Sequence, residues 1–285
     1  MPPSKRLALL AATSTLFTSL VAASPAGADL TDLPQPVRPI PGETIADPPL
    51  LDLVPGSSGS QVTRLQEELA EAGFFPGRID GIFGQATLGA VYAFQKVYGM
   101  ERTGTFRADD WVLLDRDLKG PGPGPESDRV EVDLSLQVLY LIEAGEMTGV
   151  FSVSSANGSS YRNARGRTVQ ATTPEGRFTF QRSRNGWWES YLGFLYRPYY
   201  FYGGYAIHGS RSVPPFPASH GCVRVHIEDM DFLASRISVG MPIYIYGDDL
   251  LRDALITPPT TMLPTEAAQA EGVSGTPMRS TGVGQ

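Results

Sequence analysis

The chain has 285 residues, among them 31 Gly, 24 Pro and a single Cys, and carries a formal net charge of −7 with a pI near 5.0. One Cys excludes an intramolecular disulfide framework and a Cys-rich zinc site. The acidic balance excludes a general nucleic-acid binder, which needs a basic face to displace counterions.

Taken from the N-terminus, Lys5 and Arg6 precede an uncharged run from Leu7 to Ala23, and Ala26-Gly27-Ala28 follows as a small-x-small site. A basic start, an apolar middle and such a site spell a secretory signal peptide over 1–28. The run is marginal for a spanning helix and no other approaches that length, so an exported chain without a membrane span after cleavage is expected. Residues 29–52 hold Pro34, Pro36, Pro39, Pro41, Pro48 and Pro49, the composition of an extended linker.

Residues 53–118 read as helical. Val62, Leu65 and Leu69 recur at helical spacing, as do Val91, Phe94 and Tyr98, and a third short helix is expected over Arg107 to Asp117. Glycines and Asp80-Gly81 mark turns between the first two. The sum is a small three-helix bundle. Alternating Gly and Pro over 119–127 form a joint that supports neither helix nor strand. Residues 128–250 then change to a period of two: Val130, Val132 and Leu134 alternate with Glu131 and Asp133, and Val138, Tyr140 and Ile142 repeat the pattern. Further strands are expected at 150–153, 177–180, 205–207 and 241–246, with one helix from His226 to Ile237. The fold class is therefore α+β multidomain, a helical bundle followed by a mainly β, sandwich-like domain. Residues 251–285 are polar and Pro-containing, as a disordered tail would be.

All three histidines and the cysteine fall within 19 residues, as His208, His220, Cys222 and His226. A solitary thiol in an exported protein is a liability unless it is used, and His208, His220 and Arg224 are the local means of activating it. Gly221 allows close backbone approach, and the Cys222 amide can help to hold an oxyanion. Three His and one Cys also meet the count for zinc, but His226 opens a helix and paired short-spaced ligands are lacking, so no metal and no cofactor are assigned. A papain-like arrangement would place Cys before His. Residues 187–205 hold 10 of the 28 aromatics, too many in succession for all to point inward from a strand. Trp187, Trp188 and Tyr199 are expected to line a groove or flap and touch substrate.

Two resemblances follow from these residues. Gly56-Ser57-Ser58-Gly59, Leu65-Gln66, Asp80-Gly81, Phe83-Gly84, Thr87, Phe94-Gln95 and Gly104 resemble the three-helix peptidoglycan-binding repeat. For most of them a structural role in turns and core is the expectation. Ile207-His208-Gly209 with Ser219-His220-Gly221-Cys222-Val223-Arg224 resembles the signature of the L,D-transpeptidases of YkuD type, with Thr173-Pro174 and Gly176-Arg177-Phe178 in support. That resemblance implies an acyltransferase of the cell wall or periplasmic space. Its Cys222 would form a thioester with a stem peptide and pass the acyl group to an amine, giving 3→3 cross-links. It implies stem peptides and glycan as partners and carbapenem-type inhibitors. It also implies His208 as proton donor and acceptor, and His220 with the Gly221 and Cys222 amides around the oxyanion; spacing alone leaves the choice of histidine open. Ser219 is expected to orient an imidazole ring, and Arg224 to meet a substrate carboxylate or brace its loop. An L,D-carboxypeptidase, a protein-to-wall attachment enzyme and a non-catalytic wall-binding protein are the rival readings.

Overall fold

A computed structural model describes residues 49–247, except 75, 76, 115, 117, 119, 122 and 123. The expected signal peptide, the linker up to residue 48 and the C-terminal tail lie outside the described residues.

Helix α1 (Ser60–Glu71) buries Val62, Leu65 and Leu69, and α2 (Gln85–Val97) buries Val91 and Phe94, so the apolar spacing marks the packed faces. The third helix is shorter than expected: a 3-10 turn (Ala108–Asp110) runs into α3 (Trp111–Leu114). Two buried glutamines brace the connections. Gln66 donates through Nε2 to Asp80, Ile82 and Thr87 and accepts from the Asp80 and Gly81 amides. Gln95 does the same for the loop at Thr103–Thr105. Each amide side chain replaces backbone partners that a turn cannot supply.

The β domain holds β1 (Arg129–Asp133), β2 (Val138–Glu143), β3 (Glu146–Ser152), β4 (Ser160–Arg162), β5 (Thr168–Gln170), β6 (Gly176–Thr179), β7 (Arg182–Ser183), β8 (Trp187–Ser190), β9 (Gly193–Tyr202), β10 (Tyr205–Gly209), β11 (Val223–Val225) and β12 (Pro242–Tyr246). Helix α4 (Ile227–Arg236) precedes β12. One sheet has the order β3-β2-β1-β12-β6; the other has β11-β10-β9-β7, with β8 also on β9; β4 and β5 form a separate hairpin. Val130, Val132, Leu139, Leu141, Ile243 and Ile245 of the first sheet meet Phe201, Ile207, Val223 and Val225 of the second and Met230 and Leu233 of α4. This is the interior of the sandwich.

The bundle is not a separate bead. Val138, Tyr140 and Ile142 of β2 and Val150 of β3 belong to the bundle's own hydrophobic core, with Leu65, Phe74 and Phe94. Strand β2 is therefore apolar on both faces, odd residues inward and even residues under the bundle. The Val150 amide donates to the Gly73 carbonyl at 2.8 Å and extends the junction through backbone. Gly120 and Gly124 of the Gly/Pro segment lie against the domain: a Cβ at Gly124 would stand 2.7 Å from the Arg129 guanidinium, and one at Gly120 2.6 Å from Met147 Sδ.

The expected polar face of β1 is covered as well. Glu131 is buried and paired with buried Arg129 at 2.7 Å, Arg129 also donates to the Glu126 carbonyl at 2.8 Å, and Tyr246 donates to Glu131. Alternation predicts facing, not exposure, and here the polar face is buried because charges satisfy each other. Removing Arg129 takes the buried cation from Glu131, so Arg129→Met is expected to lower unfolding free energy by about 3–5 kcal/mol. Urea midpoints check this; a loss under about 1 kcal/mol would show that water reaches Glu131.

Candidate active site

Strands β10 and β11 lie parallel, with His208 opposite Arg224, and the loop 210–222 joins them. A cleft of about 830 Å3 opens over their ends, and His208, His220, Cys222 and Arg224 all line it. Hairpin β4–β5, through Tyr161, forms one wall, and the β8–β9 hairpin, through Trp188, Tyr191 and Tyr200, forms another.

His208 is buried, and its Nδ1 lies 2.9 Å from the Gly209 carbonyl. A carbonyl oxygen only accepts, so Nδ1 carries the proton and Nε2 keeps its lone pair. Burial holds the ring's pKa down to about 4, against the pull of the Gly209 carbonyl and with some help from the Arg224 charge. At neutral pH the ring is a neutral base. Burial also pushes the Cys222 thiol up from its usual value, opposed by a backbone hydrogen bond at Ala206 and by the Arg224 cation. The resting pair is thus thiol and imidazole, not thiolate and imidazolium. The thiol's contact with the Gly204 carbonyl is weak, at 3.9 Å, and costs little to give up.

The loop carrying Cys222 is held from several sides. Ser219 Oγ donates to the Cys222 carbonyl at 2.6 Å and accepts from the Gly221 amide at 3.0 Å. Ser219 was expected at an imidazole and the Gly221 amide at an oxyanion; in this structure the Ser219 hydroxyl closes the tight turn that it begins and takes the Gly221 amide. Thr173 donates to the Gly221 carbonyl at 2.8 Å and accepts from the Ala156 amide at 3.1 Å, tying the loop to the segment before β6. Gly221 has φ 153°, and a Cβ there would stand 2.5 Å from Tyr205 Cε1. Only glycine fits beneath that ring.

The aromatic expectation divides. Trp188 lines the cleft; Trp187 packs on Tyr196 at 5.1 Å with Arg211 over its ring, and Tyr199 turns into the core against Phe180 and donates to the Ala234 carbonyl. The alternation along β9 is the reason: Tyr200 and Tyr202 face the cleft while Tyr199 and Phe201 face the sandwich interior. Tyr161, edge-on to His220 at 4.7 Å, escaped sequence reading, as did the hairpin bearing it. Its signal was the turn Asn163-Ala164-Arg165-Gly166, where the Asn163 side chain accepts from the Arg165 and Arg167 amides. His226 stands apart at the start of α4, with its ring against Gly89 of α2. Among the described residues no three His, Cys, Asp or Glu side chains converge on a metal position, and no helix is long and apolar enough to cross a membrane.

Comparison with known proteins places these elements. Residues 127–245 match the L,D-transpeptidase catalytic domain, and residues 58–106 match a putative peptidoglycan binding domain. A crystal structure of the L,D-transpeptidase (residues 123–326) from Xylanimonas cellulosilytica is 40% identical, with a TM-score of 0.64 over 70% of this chain and 99% of that one. An L,D-transpeptidase from Stackebrandtia nassauensis is 21% identical over 70% of this chain and 98% of its own, with a TM-score of 0.41, too loose a likeness to add weight. No curated protein matches. With identity this high over nearly the full length of a solved relative, and the bundle and sandwich both accounted for, the chain belongs to the L,D-transpeptidase family.

Proposed function

We propose that the protein is an exported peptidoglycan L,D-transpeptidase that uses Cys222 as its nucleophile and forms 3→3 cross-links. The observation that carries this reading is the cleft that both Cys222 and a neutral, tautomer-fixed His208 line. Cys222 Sγ attacks the carbonyl of meso-diaminopimelate in a donor tetrapeptide stem while His208 Nε2 takes the thiol proton. The tetrahedral oxyanion rests on His220 and the Cys222 amide, since the Gly221 amide is engaged with Ser219. Collapse expels the terminal D-Ala, its amine protonated by His208, and leaves a thioester. The side-chain amine of a diaminopimelate on a second stem then attacks the thioester, loses its proton to His208 and releases the thiol. Arg224 and Trp188, on the cleft wall, meet the peptide, and the bundle contacts wall glycan.

Purified disaccharide-tetrapeptide tests this. The expected products are a cross-linked dimer and free D-Ala in equal amounts, and a carbapenem is expected to leave one acyl adduct on wild type and none on Cys222→Ala. Tripeptide without dimer would make the enzyme a carboxypeptidase. No adduct and no D-Ala would leave the wall-binding protein as the reading.

A further inference from the structure

We propose that the helical bundle is part of the catalytic apparatus, with Lys96 and Arg102 as positioning residues for the loop that bears Cys222. This rests on the acyl-transfer reading above and adds a role for the bundle beyond any contact with wall.

Lys96 sits on α2, yet it is only 1% exposed and turns its Nζ to three oxygens of the β domain. Its Nζ donates to the Gln137 carbonyl at 2.9 Å, Ser152 Oγ at 2.7 Å and the Val153 carbonyl at 3.0 Å. Gln137 is the next link. It is buried with φ 63°, a conformation that a non-glycine residue keeps only where its surroundings over-determine it. Its carbonyl accepts from Lys96 and from the Val153 amide, and its side chain grips Ser155 twice: Nε2 donates to Ser155 Oγ at 2.7 Å and Oε1 accepts from the Ser155 amide at 2.8 Å. The Ser155 carbonyl in turn accepts from the amides of Ala218 and Ser219 at 2.9 and 2.8 Å. Ser219 then closes on Cys222. Every step from the α2 lysine to the thiol-bearing residue is a buried or half-buried hydrogen bond.

Arg102, in the loop after α2, supplies a second hold on the same segment. Its guanidinium donates to the Pro215 carbonyl at 2.8 Å and to the Leu136 carbonyl at 3.2 Å. Next to it, Ser154 Oγ donates to the Phe216 carbonyl at 2.8 Å. The loop 210–222 spans thirteen residues between its two strands by their numbering and is rich in Pro, which removes amide donors that could tether it to its neighbours. Two of its carbonyls are therefore held from outside, Pro215 by Arg102 of the bundle and Phe216 by Ser154 of the segment after β3. A displaced nucleophile loses rate steeply, since reacting groups must meet within a few tenths of an ångström.

The test uses the full chain and three variants, Lys96→Met, Arg102→Gln and Arg102→Lys. In Lys96→Met, amide hydrogen exchange across residues 213–224 is expected to rise by about tenfold. The maximal rate of Cys222 acylation by a carbapenem is expected to fall by about 10- to 100-fold with the half-saturating concentration little changed. Arg102→Gln should move both readouts the same way to a smaller extent, and Arg102→Lys should recover part of the loss, as one ammonium can serve one of the two carbonyls. Exchange and acylation within about twofold of wild type in both Lys96→Met and Arg102→Gln would overturn the proposal. Should Lys96→Met fail to fold, the two Arg102 variants decide alone. A wild-type protein that takes no acyl group would overturn the acyl-transfer reading, while the exchange comparison would still decide whether the bundle holds the loop.

Discussion

His208→Ala is expected to slow acylation of Cys222 at neutral pH by about 10²- to 10⁴-fold, the usual worth of a positioned general base. The pH profile makes the test sharper than the rate alone. In wild type the base is already free at neutral pH and the thiol is still protonated. Acylation should hence run level through neutrality and fall only as His208 takes a proton, toward about pH 4. Without the base, attack depends on spontaneous thiolate, and the rate should climb about tenfold per pH unit across the same range. His220→Ala should keep the level profile and lower its height. A level profile in His208→Ala with a slope in His220→Ala would exchange the two roles.

The same buried ring ties stability to acid. Its pKa is about 4 when folded and 6.5 when exposed by unfolding, so the unfolded chain takes the proton first as pH drops. Stability is then full above pH 6.5 and declines between 6.5 and about 4, by roughly 3 kcal/mol from this group. His226, also pushed down by burial, acts in the same direction.

Gly221→Ala should be the most damaging single methyl in the protein's catalytic loop. The new Cβ meets Tyr205 at 2.5 and 2.9 Å and the Thr172 carbonyl at 3.2 Å, in a backbone conformation that side chains rarely adopt. Relief requires moving the Tyr205 ring or the loop itself, and the loop carries the thiol. A loss of about 100-fold in acylation is expected, with about 1–3 kcal/mol of stability. Removing the ring in Gly221→Ala/Tyr205→Ala should return part of the rate, while the backbone strain stays. Wild-type acylation in the single variant, measured by intact mass, would show that the loop tolerates the shift.

Much of this was legible in the chain itself. Helical spacing placed α1 and α2 because one face of each is buried and the other is wet, the condition under which periodicity speaks. The crowding of His208, His220 and Cys222 pointed to the cleft that all three line, because a lone thiol among imidazoles has few structural uses. What stayed hidden depended on partners distant in sequence. Lys96 reads as an ordinary solvent-facing lysine on an amphipathic helix, and only the acceptors at Gln137, Ser152 and Val153 make it buried. Glu131 reads as the wet face of β1 until Arg129 and Tyr246 cover it. The acceptor of the Ser219 hydroxyl, the Cys222 carbonyl, stayed hidden for a related reason: spacing locates a side chain along the chain but does not choose among the acceptors within its reach.

The two-sided burial of β2 has a bearing on how such an enzyme works across a polymer mesh. A catalytic domain on a flexible tether sweeps a volume, and the concentration of reactive stems that it experiences depends on tether length. With Val138, Tyr140 and Ile142 seated in the bundle, the bundle and the β domain share a core instead of swinging on a tether. A strand held at the bundle would meet the cleft at one fixed offset and angle, so the spacing of stems along the wall, rather than diffusion, would select which stem becomes the donor.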